Sequence, residues 1–317
     1  MSDRPLLRII GLSVVYGQVK ALDNVSLTIP SSGYTLGIVG ESGSGKTTLA
    51  MSVMNSLEGV GRIAGGSIEF NGRNLLQMSK NELREYRWSE VSIVYQSAMN
   101  SLNPVMTVLD PIVEVLRVHG KVPKKEARVQ AVKLLSEVGI DEKRKDSYPH
   151  EFSGGMRQRV VIALALALSP KLLIADEPGS ALDVVVQQKI MTLLRKQVKQ
   201  KHLSLIFITH EISLLSGFVD HVAVMYRGEI VEIGQESKTL FEPLHPYTEF
   251  LISSVLDFKS KREDLLNYQL VSNPGPHGES GCKYANRCKY VFSKCLTERP
   301  LLLEAENGRW VACHKYH

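Results

Sequence analysis

Cysteine is absent from the first 281 of the 317 residues, and no apolar run is long enough to cross a membrane. The longest such run, residues 160–168, has about nine residues, whereas a membrane-spanning helix needs roughly 20. The segment at the start of the sequence, MSDRP, also lacks the apolar stretch of a secretory signal. We therefore expect a protein that stays in the cytosol.

A strong net charge is missing as well. Lys and Arg number 38 against 33 Asp and Glu, so the formal net charge of +5 is too weak to indicate nucleic-acid binding by itself. Hydrophobic residues make up 44% and charged residues 22%, which is ordinary for a globular protein and excludes a fibrous chain or a long disordered tail. At roughly 150 residues per domain, the length suggests about two domains.

The positive charge is concentrated near the C-terminus. Residues 282–317 hold seven Lys or Arg against three Glu, while the first 281 residues are close to neutral. Such a basic stretch could meet a membrane surface or an acidic partner, form a solvated face, or balance a negatively charged cluster. The sequence alone leaves these alternatives open.

The same stretch contains all the cysteines, Cys282, Cys288, Cys295 and Cys313, in the spacing C-x5-C-x6-C-x17-C. In a reducing compartment, clustered cysteines indicate metal ligands rather than disulfides. The closely paired knuckles of zinc ribbons are absent, so the spacing suits an iron–sulfur cluster better, with zinc or free thiols as alternatives. A segment this small needs a cross-link, such as a bound metal, in order to fold.

Hydrophobic patterning predicts an α/β fold. The predicted elements are antiparallel strands within 6–39, a buried strand at 36–39, a helix at 46–57, a strand at 68–70, an all-helical insert at 104–147, parallel strands at 172–175 and 203–208 with a helix at 184–199 between them, two strands within 220–233, and a helix at 243–256. Residues 259–269 are charged like a linker, and residues 273–278 form a Pro/Gly hinge.

The segment 40–47, GESGSGKT, fits the phosphate-loop pattern G-x-x-x-x-G-K-[ST] between a predicted strand and a predicted helix. Backbone N–H groups of such a loop surround phosphate oxygens, and the helix N-terminus adds positive potential. Lys46 would reach the β- and γ-phosphates, and Thr47 would ligate Mg²⁺. The motif therefore predicts a nucleoside triphosphate site formed by Gly40, Ser42, Gly43, Ser44, Gly45, Lys46, Thr47 and Thr48.

A second motif, LLIADE at 172–177, ends an apolar strand in two carboxylates. Asp176 would lie near the Mg²⁺ shell, and Glu177 would polarise a water molecule. Two acids at a strand end are common in proteins, but the phosphate loop upstream favours the catalytic interpretation.

The segment 152–156, FSGGM, resembles the signature L-S-G-G-Q of the ATP-binding-cassette (ABC) ATPases, with Phe152 and Met156 as departures. A helix start capped locally by Ser153 is the structural alternative. The resemblance implies that Ser153, Gly154 and Gly155 bind the γ-phosphate held by the phosphate loop of a second subunit. Two ATP molecules would then join two such domains face to face, and the signature would stabilise phosphate charge from the other subunit.

Four more positions match the family. The resemblance implies that Tyr16 stacks on adenine and that His210 contacts the γ-phosphate and helps hold Glu177 and water in line. It implies that Gln96 senses Mg²⁺ and water, with Thr47 and Asp176 as the other Mg²⁺ ligands. It also implies that residues 180–183, ending in Asp183, carry signals between the paired sites. Packing of Tyr16 in a sheet and a plain surface role for Gln96 are the alternatives.

The resemblance narrows to the ATPases of dipeptide and oligopeptide importers. Residues 95–104, YQSAMNSLNP, resemble their F-Q-D-P-x-x-S-L-N-P, with Ser97 and Ala98 as departures. Residues 245–248, HPYT, residues 273–276, NPGP, and the cysteine-bearing tail match the same subfamily. This resemblance implies a [4Fe–4S] cluster held by the four cysteines. The subfamily also includes importers of nickel and oligosaccharides.

The resemblance thus implies an ABC ATPase fold, in which a RecA-like parallel-sheet core carries an antiparallel β-subdomain and a helical subdomain at about 100–160. This nucleotide-binding domain would span 1–258, and a small metal-stabilised extension would span 259–317. The implied function is ATP hydrolysis that powers a membrane importer for peptides, an oligosaccharide or nickel. Lys46, Gln96, Glu177 and His210 would be the catalytic residues.

The partners implied are two transmembrane permeases, a second, non-identical ATPase and, indirectly, an extracytoplasmic binding protein, without nucleic acid. The chain itself would lie at the cytoplasmic face of the cell membrane as a peripheral subunit. A soluble ABC machine acting on DNA or ribosomes is the alternative, but the chain has one phosphate loop, one signature and no heptad stretch. A non-catalytic ATP-binding regulator is disfavoured because Glu177 and His210 are both present.

Overall fold

The computed structural model describes residues 4–96, 101–180, 182–256 and 280–317. Ser97, Ala98, the predicted linker at 259–269 and the predicted hinge at 273–278 lie outside these ranges. The proposed boundary between 258 and 259 lies outside them too.

Twelve strands lie within the described ranges. In chain order they are β1 Leu7–Tyr16, β2 Val19–Ile29, β3 Thr35–Val39, β4 Gly61–Phe70, β5 Arg73–Asn74, β6 Val91–Val94, β7 Leu172–Asp176, β8 Ser204–Thr209, β9 His221–Tyr226, β10 Glu229–Gln235, β11 Leu303–Glu306 and β12 Arg309–Val311. Four of them form an antiparallel sheet in the order β2-β1-β4-β5. The other eight form a mixed sheet in the order β11-β12-β10-β9-β3-β8-β7-β6, whose core pairs β6-β7-β8-β3-β9 are parallel.

Nine α-helices lie within the same ranges. They are α1 Lys46–Val53, α2 Lys80–Ser89, α3 Asp110–Val118, α4 Lys124–Glu137, α5 Gly154–Ala165, α6 Val184–Lys201, α7 Glu236–Phe241, α8 Pro246–Leu256 and α9 Ser293–Thr297. None of the helices in the described part of the chain combines the length and the apolar character that a membrane crossing requires.

The mixed sheet is buried on both faces. Along β8, Ile206 and Ile208 contribute to a core shared with the antiparallel sheet and α1, while Leu205 and Phe207 contribute to a second core shared with α3, α4, α5 and α6. Because successive strand residues point to opposite faces, a strand covered on both sides reads as a continuous apolar run. This is why the runs at 172–175 and 203–208 predict buried parallel strands correctly.

The helical insert predicted at 104–147 is confirmed. Ile112 and Leu116 of α3 lie in one buried cluster with Ala131 and Leu135 of α4 and with Ile162 of α5. This apolar stripe at helical spacing is what makes the three helices a unit, attached to the sheet through the same core.

Two predicted helix boundaries differ from the structure. The helix predicted at 46–57 ends at Val53, and Asn55 follows in the left-handed region with φ of 47°. Asparagine tolerates this conformation at a helix end, so the last turn predicted from apolar spacing does not form. The helix predicted at 243–256 starts at Pro246, and α7 is an additional short helix before it.

The C-terminal region, defined here as residues 280–317, extends the mixed sheet. β12 pairs antiparallel with β10 through Glu232–Val311 and Ile233–Trp310, and β11 pairs with β12. These strands were not predicted from the sequence, because β11, LEAE, and β12, RWV, have only four and three residues, too few for their apolar pattern to stand out from a loop. They form because β10 offers them a sheet edge.

Candidate functional site

The phosphate loop joins the end of β3 to the start of α1. Gly45 has φ of 102°, and a Cβ added there would lie 2.7 Å from the carbonyl oxygen of Ala21. A Cβ on Gly40 would lie 2.1 Å from the carbonyl oxygen of Met225. Both positions therefore require glycine. No side chain caps α1, which leaves its first N–H groups available to an anion.

The Lys46 side chain is buried at the base of this loop, with 6% of the residue exposed. Its Nζ donates hydrogen bonds to the carbonyl oxygens of Gly40 at 2.8 Å and Glu41 at 2.9 Å. Burial lowers the pKa of Lys46, while the carboxylates of Glu177, Asp176 and Glu41 oppose that shift. The ammonium group is thus held by the loop itself and faces three acids.

Asp176, the last residue of β7, is buried next to the loop. Burial raises the pKa of this carboxyl, while a hydrogen bond with Thr47 and the charge of Lys46 lower it. The Thr47 hydroxyl and the Asp176 carboxylate therefore lie together as oxygen ligands. Mg²⁺ in phosphate sites takes one or two such protein ligands, together with phosphate oxygens and water, so this pair fits the ion.

Glu177 is held in a strained conformation between two partners. Its φ is 47°, in the left-handed region that non-glycine residues rarely adopt, and its N–H donates to the carbonyl oxygen of Ile208 at 2.9 Å. Its Oε1 lies 2.8 Å from Nδ1 of His210, and its Oε2 accepts a hydrogen bond from Nε2 of Gln96 at 2.9 Å. The ends of β6, β7 and β8 thus bring together three residues predicted to be catalytic. We call residues 40–48, Gln96, Asp176, Glu177 and His210 the phosphate-loop site.

The signature segment lies at the start of α5. Ser153 occupies the N-cap position and is exposed, but its side chain makes no hydrogen bond to the helix. The local capping role considered for Ser153 is therefore not observed. A Cβ on Gly155 would lie 2.4 Å from Cγ1 of Val186 in α6, so this glycine is needed for close packing of the two helices. Gly154 is the first residue of α5.

One arginine accounts for both departures from the family signature. The guanidinium of Arg144 lies 4.4 Å from the centre of the Phe152 ring, and its Nη1 is 3.5 Å from Sδ of Met156. An aromatic ring and a thioether both suit this cation. The two substitutions thus form one local contact and leave the Ser-Gly-Gly backbone in place.

Asp183 and Tyr16 also have local structural contacts. Asp183 is the N-cap of α6 and accepts a hydrogen bond from the N–H of Val186 at 3.0 Å. This capping role was not predicted, although an Asp directly before a predicted helix is a capping signal. The Tyr16 ring lies against Gly61, where an added Cβ would be 2.5 Å from its Cε1. Ala181, between Ser180 and Leu182, lies outside the described ranges.

The sequence profile of the ABC transporter family matches residues 22–180, about half of the chain. The oligopeptide transport ATP-binding protein AppD of Bacillus subtilis (strain 168) is 42% identical over 302 residues, which cover 94% of this chain and 92% of AppD. This chain belongs to the ABC transporter family of ATP-binding proteins. The dipeptide transport ATP-binding protein DppD of Escherichia coli (strain K12) is 39% identical over 98% of this chain and 96% of DppD.

Solved ABC cassettes share the fold. The dimeric cassette MJ0796 bound to ADP and Pi superposes with a TM-score of 0.63 at 27% identity, covering 73% of this chain and 98% of that one. The cassette cbiO1 from Clostridium perfringens gives 0.66 at 27% identity, covering 84% of this chain and 99% of that one. The α/β ABC ATPase fold with a mixed sheet is thereby confirmed. A second profile, the C-terminal region of oligopeptide/dipeptide transporters, matches residues 231–295.

The four cysteines of this ABC protein converge on one small pocket, which we call the cysteine pocket. Its walls include Cys282, Cys288, Cys295, Cys313 and His245. Burial raises the pKa of Cys282 to about 11 and raises the pKa values of Cys288 and Cys313. Across the described ranges, no group of three or more His, Cys, Asp or Glu side chains is arranged to hold a metal ion. The structure thus brings the cysteines together but does not support the metal prediction.

The basic residues of the C-terminal region pair with acids of the same chain. Asp23 is only 6% exposed. Lys283 lies 3.0 Å from the Asp23 carboxylate and 2.7 Å from that of Glu229, and Arg299 lies 2.8 Å from each of them. Burial raises the pKa of Asp23, but its hydrogen bonds and the nearby cations more than offset this and hold that pKa well below its usual range.

Three further ion pairs join the C-terminal region to the rest of the chain: Arg287 with Glu41, Lys289 with Glu249, and Arg309 with Glu232. Five of the seven basic residues are therefore used in this way. The acidic partner considered in the sequence analysis is this chain's own cassette. Sequence reasoning missed these acids because they lie as far as 276 positions from their partners.

The HPYT segment builds the start of α8 beside the cysteine pocket. His245 is buried, and its Nδ1 accepts the N–H of Tyr247 at 3.0 Å, so its proton is on Nε2. Burial lowers the pKa of His245 to about 3, which keeps the ring neutral at ordinary pH. The Glu232 carboxylate accepts the N–H groups of Leu244 at 3.0 Å and His245 at 2.9 Å. The motif is thus a structural turn.

Proposed function

We propose that this chain is the ATP-hydrolysing subunit of a membrane importer for peptides. The observation that carries the proposal is the Glu177 carboxylate, held between Gln96 and His210 at 2.9 and 2.8 Å. It stands beside a phosphate loop whose lysine is already buried and hydrogen-bonded to the loop carbonyls. A carboxylate fixed in this way can act as a general base toward a water molecule.

In the proposed mechanism, Lys46 exchanges its carbonyl contacts for the β- and γ-phosphates of ATP. Glu177 accepts a proton from the attacking water, and His210 and Gln96 keep its two oxygens in orientation. In phosphoryl transfer, such positioning and charge stabilisation supply nearly all of the catalysis. Thr47 and Asp176, with Gln96, would hold Mg²⁺, which neutralises phosphate charge when bound.

The second half of the site would come from a second ATPase subunit. Ser153, whose hydroxyl is exposed and makes no capping bond, and the N–H groups of Gly154 and Gly155 would meet the γ-phosphate of the partner. Tyr16 would stack on adenine, and Asp183 would transmit the state of one site to the other while capping α6. Binding would close the pair, and hydrolysis with product release would reopen it.

Peptides are the proposed cargo because the similar proteins AppD and DppD are described as oligopeptide and dipeptide transport proteins. The proposed partners are two permeases and a second ATPase at the cytoplasmic face of the membrane, with an extracytoplasmic binding protein that delivers the peptide. We further propose a nucleotide-binding domain at 1–258, with a helical subdomain at about 100–160, and an extension at 259–317.

We also propose that the cysteine pocket holds a [4Fe–4S] cluster with a structural role. Four sulfurs on one pocket suit this group, and Lys315 in the wall of the same pocket would offset part of its charge. Anaerobically purified protein should be brown and contain iron and sulfide. Colourless protein with one zinc per chain would contradict the cluster.

The Glu177→Gln variant tests the proposed reaction. It should bind ATP but lose turnover by at least about 100-fold, and it should accumulate an ATP-bound dimer, since only the proton acceptor is removed. Glu85→Gln is the matched control because it makes the same change at an exposed position of α2. Hydrolysis that persists in Glu177→Gln would refute the general-base role.

Co-purification from native membranes, read by mass spectrometry, tests the transport role. Two permeases and a second ATPase are expected with the tagged chain. Recovery with ribosomes or DNA factors, without a membrane protein, would favour a soluble ABC machine instead.

A further inference from the structure

The C-terminal region reaches the phosphate loop through one side chain. Arg287, the residue before Cys288, forms two hydrogen bonds with Glu41, the second residue of the loop. Nη1 donates to Oε2 at 3.0 Å and Nη2 donates to Oε1 at 2.9 Å. This bidentate geometry fixes both groups more firmly than a single contact between point charges.

Glu41 is held at two further points. Its N–H donates to the hydroxyl of Tyr247 at 2.9 Å, and its carbonyl oxygen accepts from Nζ of Lys46 at 2.9 Å. Its backbone is therefore connected directly to the lysine that would bind phosphate. Any force on the Glu41 side chain acts on the loop at this point.

The position of Arg287 is set by aromatic rings. Its guanidinium carbon lies 5.1 Å from the ring centre of Phe250, 5.7 Å from that of Tyr284 and 5.9 Å from that of Tyr226. These rings belong to α8, the C-terminal region and β9. The position of Arg287 is thus set by residues at the interface between the C-terminal region and the cassette, and not by the phosphate loop.

The charge of Glu41 gives this contact a consequence for ligand binding. A carboxylate on a phosphate loop repels a triphosphate, and it does so less when a cation is paired with it. We propose that Arg287 is a positioning residue of the phosphate-loop site, which neutralises and orients Glu41 and so makes the C-terminal region a determinant of ATP affinity. The inference rests on the proposed ATPase function and adds a residue outside the ABC motifs.

The Arg287→Ala variant tests this role in the full-length chain. Glu41 and Arg287 are 41% and 30% exposed, so solvent screens their charges and the effect is moderate. We expect the Kd of MgATP, measured by nucleotide titration, and KM to rise about tenfold. The kcat at saturating ATP should stay within about twofold, because no group at the reacting atoms is lost.

A second substitution separates charge from packing. In Glu41→Gln/Arg287→Ala the unpaired carboxylate is gone, so the Kd should return to within about threefold of the wild-type value. A purely structural role for Arg287 would leave the double variant as weak as the single one. Arg287→Gln keeps a long side chain against the rings and should show the same tenfold loss of MgATP affinity. This variant replaces Arg287→Ala in the test if Arg287→Ala does not fold.

Lys289→Ala is the matched control. Lys289 lies on the other side of Cys288 and pairs with Glu249 of α8 at 3.0 Å, away from the loop. Its Kd for MgATP should be unchanged. Equal affinity in wild type and Arg287→Ala would overturn the inference, whereas a wild-type chain that binds no ATP would overturn the proposed function itself.

Discussion

In the phosphate-loop site, the reactive side chains stand at the ends of neighbouring strands, whereas the cysteines come from turns, the short helix α9 and the segment after β12. The first arrangement follows from the parallel sheet, which brings the carboxyl ends of β3, β6, β7 and β8 to one edge. The second depends on ion pairs with Asp23, Glu41, Glu229, Glu232 and Glu249 of the cassette.

This difference indicates which property each region controls. Glu177 and His210 contact each other directly, so substitutions there should change the chemical step. Lys283 and Arg299 pair with Asp23 and Glu229 rather than with Glu177 or His210, so substitutions there should mainly change docking and stability. The predictions below test that division, beginning with the largest expected effect.

His210→Ala should have the largest effect on turnover. It removes the 2.8 Å contact that orients Glu177, and loss of a group that serves acid–base chemistry lowers kcat by about 10² to 10⁴-fold. The Kd of MgATP should change only a few-fold, as measured by titration beside steady-state kinetics. His150→Ala, at an exposed position near the signature, is the control. An unaltered kcat in His210→Ala would show that His210 does not control the chemical step.

Asp23→Ala should have the largest effect on docking. It removes one of the two carboxylates that Lys283 and Arg299 share and leaves them with Glu229 alone, and breaking a buried pair costs several kcal/mol. Because these cations are 28% and 32% exposed, we expect a loss of about 2 kcal/mol, seen as a lower melting temperature and faster proteolysis of residues 280–317.

The control for Asp23→Ala is Asp146→Ala, which breaks the ion pair with Arg128. Those partners are 56% and 51% exposed, and such a pair contributes less than about 1 kcal/mol. Equal destabilisation by the two substitutions would show that the C-terminal region is not held by its charges.

Local patterns predicted the phosphate-loop site well. The loop 40–47, the acid pair at 176–177 and His210 each follow a short apolar run, and strand ends in a parallel sheet are neighbours in space. The strain at Glu177, with φ of 47°, is a tertiary detail that these patterns do not contain, whereas the capping role of Asp183 is a local signal that was overlooked. The roles of the site residues in catalysis remain predictions.

The C-terminal region was predicted only in part. The cysteine spacing indicated a shared site, and the cysteines do line one pocket. The strands β11 and β12 and the acidic partners were missed, because both depend on contacts with residues far along the chain. The pairing of Arg299 with Asp23, for example, joins positions 276 residues apart.

A histidine in the cleft between the antiparallel sheet and the C-terminal region should show the smallest effect. His221 stacks on Tyr34 with ring centres 4.8 Å apart, and burial lowers its pKa below the usual value, with Asp220 opposing the shift. As the pH falls below about 6.5, the unfolded chain therefore takes up this proton before the folded protein does, and stability is lost. Above that pH the group makes no difference.

His221→Phe keeps the stacked ring and removes the proton. Its melting temperature should fall less than that of wild type between pH 7.5 and 5.5, by an amount equivalent to about 1 kcal/mol or less. His150→Phe, at an exposed histidine stacked on Tyr148, should keep the wild-type dependence. If both variants keep the wild-type pH dependence of the melting temperature, the sensitivity to acid does not originate in this cleft. Asp23 protonates only at far lower pH, so its ion pairs persist throughout this range. Glu229, whose pKa is raised by burial, lines the same cleft but is present in wild type and His221→Phe alike, so the difference between the two proteins isolates the histidine.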